Sequence, residues 1–217
     1  MNIKTSAIIP AGGTSSRFGN KNKLLEKIND KEVIKYTVDA FEESNVDEII
    51  ICANLNIIDE LKSIFQNYKK VVIIEGGSTR QESVFNGLKV CECDYVLIHD
   101  AARPMISTDL INQTIEMVKD RKAITVATKT IDTIKEVVDG KIIQTIDRSK
   151  LYNTQTPQAF EYALIRNAHE KLIGQNFTDD AGMLEKLGFD VYIMNGSYKN
   201  IKITTQNDID IAKIYLS

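Results

Sequence analysis

Short, continuous apolar runs alternate along the chain with stretches whose apolar residues recur every three or four positions. "TSAIIPA", "VDEIIICAN", "KKVVIIEGG", "CDYVLIHDAARP" and "AITVAT" read as buried strands. "EVIKYTVDAFEES", "IIDELKSIF", "RQESVFNGLKV" and "STDLINQTIEMVKD" read as the helices between them. Strand following helix in this way predicts an open α/β domain with a mostly parallel sheet, because parallel neighbours need a crossover between them. Ligands of such a sheet collect beyond the carboxyl ends of its strands. Gly12/Gly13, Gly76/Gly77 and Asp100 all fall at those ends.

The rhythm breaks at "KTIDTIKEVVDGKIIQTIDRSKLYNTQTPQAF". There "IKEVV" and "KIIQTI" flank Asp139-Gly140, which predicts a β-hairpin. The strand–helix pattern then resumes: a helix from about Tyr162, another through "DDAGMLEKLG", a strand in "DVYIMN" and a last helix in "NDIDIAKIYL". No repeat, low-complexity tract or linker divides the chain. A length of 217 residues suits one core, so the expectation is a single domain over residues 1–217. A hairpin arm over about residues 131–156 is inserted in it.

Composition narrows the class. With 27 Lys and Arg against 30 Asp and Glu, the net charge is -3, which argues against a broadly basic nucleic-acid surface. Cys52, Cys91 and Cys93 match no zinc or thioredoxin spacing and read as small apolar residues in a reducing compartment. "MNIKTSAIIPAGG" turns too soon for a signal peptide, and no apolar run is long enough to span a bilayer. The expectation is a cytoplasmic enzyme or binding protein with no nucleic-acid or membrane partner.

Candidate chemistry starts in "IIPAGGTSSRFGNKNKLLEKI", which contains neither G-x-G-x-x-G nor G-x-x-x-x-G-K-[ST]. Gly12 and Gly13 still let a loop curl closely around an anion with its amides pointing inward. Ser15 and Ser16 add donors, and Arg17 and Lys23 supply cations for a polyphosphate. An ordinary βα turn with two solvated basic residues accounts for the loop equally well. Asp100 either holds Mg2+ beside phosphate oxygens or caps its turn and pairs with Arg103. His99 reads as a packed, hydrogen-bonded histidine rather than a base. Arg148 and Lys202 lie in separate loops; with Thr133, Thr156 and the opening pair they make a divided anion site if the fold gathers them. Acid–base catalysis has poor candidates here, and electrostatic positioning has good ones.

Eight stretches together resemble one family. "PAGGTSSRFG", "NKLL", "GGSTRQESV", "HDAARP", "DTIKEV", "DRSKLYNTQTPQAF", "TDDAGMLEKLG" and "GSYKNIKITTQNDI" are similar, in order, to the 2-C-methyl-D-erythritol 4-phosphate cytidylyltransferases. The resemblance implies a single-domain nucleotidyltransferase-like (Rossmann-like) fold. It also implies a reaction: CTP and methylerythritol phosphate give a CDP-alcohol and pyrophosphate in the non-mevalonate isoprenoid pathway. Mg2+ and a homodimer with exchanged arms come with it. By the same resemblance, Arg17 and Lys23 contact the triphosphate and stabilise the transition state, and Ala11, Gly12 and Gly13 form the nucleotide loop. Gly77 and Ser83 lie near cytosine and ribose, and Asp100 is the magnesium-associated carboxylate. Lys202 is a cation near the phosphates, and Thr156 sits in the matching "TPQ" stretch. Thr133 and Arg148 reach the alcohol phosphate from the partner's arm.

Two stretches depart from the family pattern. "PAGG" stands where "PAAG" is typical, and "GGSTR" stands where "GGDER" is usual, placing Ser78 at a base-side aspartate's position. Ribitol-5-phosphate cytidylyltransferases share several of the same stretches and are the alternative reading of the second substrate. A non-catalytic nucleotide-binding regulator is the competing class. Such a protein needs no second phosphate site, so Arg148 and Lys202 speak against it.

Overall fold

The computed structural model describes residues 3–13, 18 and 22–216. The first strand, β1 (Thr5–Ala11), leads through two short antiparallel strands, β2 (Lys27–Ile28) and β3 (Lys31–Glu32), into α1 (Val33–Glu42). Then β4 (Glu48–Ala53), α2 (Ile58–Ile64), β5 (Val71–Glu75), α3 (Arg80–Val90), β6 (Tyr95–Ile98), α4 (Thr108–Arg121) and β7 (Ala123–Lys129) follow in the expected alternation. The hairpin is β8 (Ile134–Val138) and β9 (Lys141–Ile146). The chain returns through β10 (Tyr152–Glu161), α5 (Tyr162–Lys171), α6 (Ala181–Lys186) and β11 (Tyr192–Asn195), and closes with α7 (Gln206–Tyr215).

Seven strands form one sheet in the order β11-β7-β10-β6-β1-β4-β5. Its neighbours pair in parallel except β10, which runs against both β6 and β7. Both faces are covered, which is why the parallel strands read as unbroken apolar runs. Successive residues of a strand serve opposite cores. Ala7 and Ile9 of β1 pack with α1, α4 and α7, whereas Ile8 between them packs with α3, α5 and α6. The helices begin where side chains satisfy their first amides. Thr79 accepts from the Glu82 amide at α3, and Ser107 accepts from the Leu110 amide at α4.

The sequence pattern predicted no strand in "YNTQTPQAFE", yet it forms the longest strand, ten residues in the middle of the sheet. Pro157 explains the difference. Proline cannot donate to a ladder and is tolerated inside a sheet at an irregularity. The β10–β7 register shifts between Thr154 and Gln158, on either side of that proline. The expected arm of residues 131–156 therefore ends earlier, since Tyr152 to Thr156 belong to the main sheet. The arm proper is a separate two-stranded sheet. Asp139 and Gly140 turn it with φ of 49° and 77°, as a tight hairpin requires. Among the described residues, no helix is long and apolar enough to cross a membrane.

Candidate active site

The loops after β1, β5, β6 and β11 converge at the carboxyl ends of their strands. Asp100 lies at the centre, two residues beyond β6, with only 8% of its surface exposed. Its Oδ1 is 3.0 Å from Arg80 Nε, and its Oδ2 is 2.8 Å from Lys202 Nζ and 3.6 Å from Arg103 Nε. Burial by itself would raise the Asp100 carboxyl; the attraction of Arg80, Lys202 and Arg103 outweighs it and holds the group well below the usual carboxylate range. The backbone is fixed as well, because the Asp100 amide donates to Thr156 Oγ1 over 3.1 Å.

Arg80 extends this cluster. Its Nη1 is 2.7 Å from Asp180 Oδ2, and Asp180 Oδ1 meets His169 Nε2 at 3.3 Å. Burial alone would depress the Arg80 guanidinium, but Asp180 and Asp100 together push it above its ordinary value. Gln158 of β10 sets the loop that carries Asp180. Its Nε2 donates to Thr125 and Asp179, and its Oε1 accepts the amides of Asp180 and Ala181 at the start of α6. Lys202 is placed by a neighbour, buried Asn200. Asn200 donates to the Thr156 carbonyl at 2.9 Å, and its own carbonyl accepts from Arg103 Nη1 at 2.7 Å. Lys23 Nζ reaches the same loop, donating to the Ile203 carbonyl at 2.7 Å.

His99 behaves as its strand position predicts. It is fully buried, with Nδ1 3.0 Å from Thr156 Oγ1, and burial pulls its imidazole down to about 3. A neutral ring held in that way is part of the scaffold for Asp100.

Two clefts meet at this cluster. The first, about 250 Å3, is lined by Ala11, Gly12, Gly13, Lys23, Ser78 and Thr79. The second, about 280 Å3, is lined by Arg103, Thr154, Thr156, Gln158, Thr178 and Asp179. Arg80, Asp100 and Lys202 line both. Four cations, Lys23, Arg80, Arg103 and Lys202, face three carboxylates, Asp100, Asp179 and Asp180, so the junction carries a small excess of positive charge. Buried Arg103 Nε faces Asp100 Oδ2 at 3.6 Å, too far for a good hydrogen bond, and has no closer partner among the described residues.

The structure thus gathers most of the residues singled out in the sequence. Ala11, Gly12, Gly13, Lys23, Asp100 and Lys202 surround the first cleft, and Thr156 lies in the second. Arg17, Ser15 and Ser16 lie outside the described residues. Gly77 and Ser83 are beneath the first cleft rather than among its lining. Ser83 is fully buried; its Oγ accepts from the Gly77 amide at 3.0 Å and donates to the Thr79 carbonyl at 2.8 Å. A Cβ on Gly12 would stand 2.6 Å from that oxygen, so Ser83 ties the two glycine loops together. Thr133 and Arg148 belong to the arm and line neither cleft; Arg148 donates to the Ile131 carbonyl at the arm's base. Sequence reasoning passed over Arg80, Gln158, Thr178 and Asp180. A basic residue opening a helix just past paired glycines was a usable signal for Arg80; nothing local marked the others.

A cation-lined cleft beside a glycine loop, and a second polar cleft across a cation-clamped carboxylate, fit a Rossmann-like nucleotidyltransferase. Residues 5–217 match the family model for 2-C-methyl-D-erythritol 4-phosphate cytidylyltransferase. The enzyme of that name from Clostridioides difficile strain 630 is 41% identical over 221 residues, covering 98% of this chain and 93% of that protein. That from Bacillus cytotoxicus is 40% identical, covering 96% of each. Among solved structures, the 4-diphosphocytidyl-2C-methyl-D-erythritol synthase of Anaerococcus prevotii superposes with a TM-score of 0.89 at 35% identity, covering 99% of this chain and 96% of that one. The chain belongs to the 2-C-methyl-D-erythritol 4-phosphate cytidylyltransferase family and is an enzyme of the non-mevalonate pathway. The match favours methylerythritol phosphate over the ribitol phosphate that the sequence left open.

Proposed function

We propose that the first cleft takes CTP and the second takes the phosphate of methylerythritol phosphate, which attacks the α-phosphorus and expels pyrophosphate. The observation that carries this reading is the shared wall of Arg80, Asp100 and Lys202, which brings two anion-binding clefts together at one point. The nucleophile is a phosphate that is already ionised near neutral pH, so no general base is required. Lys23 and Lys202 offset the charge of the two anions as they approach, and Lys202 stabilises the transition state from the junction. Arg17 joins them by the family resemblance. Arg103, whose Nε lies 3.6 Å from Asp100, and Thr156 hold the attacking phosphate.

Mg2+ fits this site as a nucleotide-borne ion. The described residues contain no cluster of three His, Cys, Asp or Glu side chains able to hold a metal. Mg2+ is commonly held by one or two carboxylates together with substrate phosphates, and Asp100 supplies the carboxylate. When bound, the ion offsets phosphate charge and aligns the leaving group. Lys202, 2.8 Å from Asp100 Oδ2, would stand beside such an ion and contribute its charge to the same phosphates.

The second site is completed by a homodimer with exchanged arms. Every residue of β8 and β9 up to Thr145 is exposed, including Val137, Val138, Ile142 and Ile143. An apolar two-stranded sheet without a core is stabilised by a symmetry mate, and Thr133 and Arg148 then reach the partner's second cleft. The free cysteines suit a cytoplasmic enzyme.

Purified protein given CTP and Mg2+ should release pyrophosphate with methylerythritol 4-phosphate and much less with ribitol 5-phosphate. The CDP-alcohol should appear in equal amount. Equal turnover with both acceptors, or none with methylerythritol phosphate, rejects the assignment. For the composite site, inactive Lys23→Ala and Arg148→Ala proteins refolded together should recover partial activity, because mixed dimers concentrate both defects in one site. Mixed dimers without activity would place Arg148 outside the partner's site.

A further inference from the structure

The turn between α3 and β6 lies at the amino ends of the strands, away from both clefts, and it carries two cysteines that nucleotidyl transfer does not use. Cys91 caps the end of α3, where its amide donates to the Gly87 carbonyl at 3.1 Å, and is only 5% exposed. Cys93 is partly exposed, and its sulfur shares a hydrogen bond with that of Cys91 at 3.9 Å. The turn is pinned just beyond them. The Asp94 amide donates to the Lys4 carbonyl at 2.9 Å, and the Asp94 carboxylate accepts from the Lys4 amide at 2.8 Å. Two sulfurs are thus held side by side, one in the core and one open to solvent.

Their environments set them apart. The hydrogen bond with Cys91, and then those with Ser6, outweigh burial and hold the Cys93 thiol below its ordinary range. The same contact with Cys93, and then burial, push the Cys91 thiol up. Thiolate character therefore falls on the sulfur that solvent reaches, which is what a reactive cysteine requires. Cys52 is the contrast: it is fully buried, and burial pushes its thiol up to about 12.

We propose that Cys91 and Cys93 form a site of reversible oxidation by a small hydroperoxide, in which Cys93 takes the oxygen and Cys91 resolves it as a disulfide. The Cys93 thiolate attacks a peroxide oxygen. The S–O bond forms, the O–O bond breaks, and the departing alkoxide or hydroxide takes up the proton that Cys93 released. The Cys91 sulfur then attacks the sulfenic sulfur. The S–S bond forms, the S–O bond breaks, and hydroxide leaves as water with the Cys91 proton. Two electrons from the thiols thereby reduce the peroxide to water and an alcohol, or to two waters. The sulfurs need approach by only about 2 Å to bond. A ring closed over one intervening residue gains little from loop closure, so other thiols can reopen it. Transient disulfides of this kind are the sort that a reducing compartment tolerates. The resolving sulfur protects the fold. Without it a sulfenic acid proceeds to sulfinic acid, which ordinary thiols do not reduce. That anion would lie against Ser6 at the root of β1, whose hydroxyl already donates to Glu48 at 3.2 Å.

The test is mass spectrometry of the full-length enzyme, reduced, freed of reductant and exposed while folded to hydrogen peroxide before alkylation. The wild type should become lighter by two hydrogens, with Cys91 and Cys93 both protected and Cys52 alkylated once the chain is unfolded. Dithiothreitol should return it to the dithiol with its thermal midpoint unchanged. Cys91→Ser should instead gain oxygens at Cys93, and after repeated doses its midpoint should fall and stay low in dithiothreitol. Cys93→Ser should leave Cys91 open to alkylation at the same dose. Full alkylation of both cysteines in the treated wild type overturns the proposal, and that result needs no variant. A disulfide joining two chains, or oxygen addition to the wild type equal to that of Cys91→Ser, overturns it as well.

Discussion

The wall between the two clefts and the hairpin arm are opposite solutions for placing charged residues. In the wall, Arg80, Asp100, Asp180 and Arg103 are largely buried and are held by one another, by His169 and by Gln158. In the arm, charged Lys135 and Glu136 bond to Thr145 and Gln144 across an exposed two-stranded sheet. Buried charges must be paired where they stand, so the wall is fixed by its own chain. Exposed ones gain little from pairing, and the Ile131 carbonyl that accepts from Arg148 ties it to the arm's base rather than to either cleft of its own chain. The wall is paired within its own chain, whereas the arm leaves its apolar residues exposed.

The wall is the place to look for the largest effect. Arg80→Ala leaves Asp180 and Asp100 short of their shared partner, and breaking a buried pair typically costs about 3 kcal/mol or more. Chemical denaturation should show that loss together with near-complete loss of activity. If stability is unchanged, the wall is not a coupled network. Lys202→Ala removes a side chain that is 38% exposed, so folding should suffer little. Its kcat/KM should nevertheless fall about a hundredfold through lost charge stabilisation. A wild-type value would confine Lys202 to neutralising Asp100.

Acid should next loosen the wall through its scaffold. His99 titrates near 3 when folded, against about 6.5 when unfolded. Below 6.5 the unfolded chain takes up a proton that the folded chain refuses. The stability this group supports is whole above that point and is lost as pH falls toward 3, by about 1.4 kcal/mol per pH unit. Denaturation curves between about pH 6.5 and 5.5, above the range where most unfolded carboxylates titrate, should show this slope setting in. His99→Gln should flatten it; an equal slope in the variant would assign the acid sensitivity elsewhere.

The smallest effect on the folded chain is expected in the arm. Ile142→Asp or Ile143→Asp changes a residue that is 58% or 54% exposed and should alter the stability of the isolated chain by at most about 0.5 kcal/mol. The same change should shift the protein toward monomer in sedimentation and lower its activity. A variant that stays dimeric and active would show that this apolar face is not the contact between copies.

Much of this comparison was legible in the chain itself, and the division follows the range of the forces involved. Apolar periodicity is local, so it marked the parallel strands, the helices between them and the Asp139-Gly140 hairpin. Strand ends are then local too, which put Gly12, Gly13 and Asp100 in the right place. β10 escaped because its pattern is interrupted by Pro157, and only pairing with β6 and β7 on either side makes it a strand. Ser83 was expected near cytosine and ribose; that its hydroxyl is buried against the Gly77 and Thr79 backbone is a matter of loop packing that its neighbours in sequence do not record.

The sequence by itself determined the α/β alternation, the glycine loop, the arm and the family, because each is written in short stretches or in their order. The tertiary structure alone decided that Asp100 is gripped by Arg80, Arg103 and Lys202, from 20 residues before it to Lys202 far beyond it. It also decided that Gln158 organises the loop of Asp180, and that Thr133 and Arg148 stand apart from the clefts of their own chain. Ion pairing among buried groups depends on distances of a few ångströms, and only the closed sheet, with its one antiparallel strand, sets them.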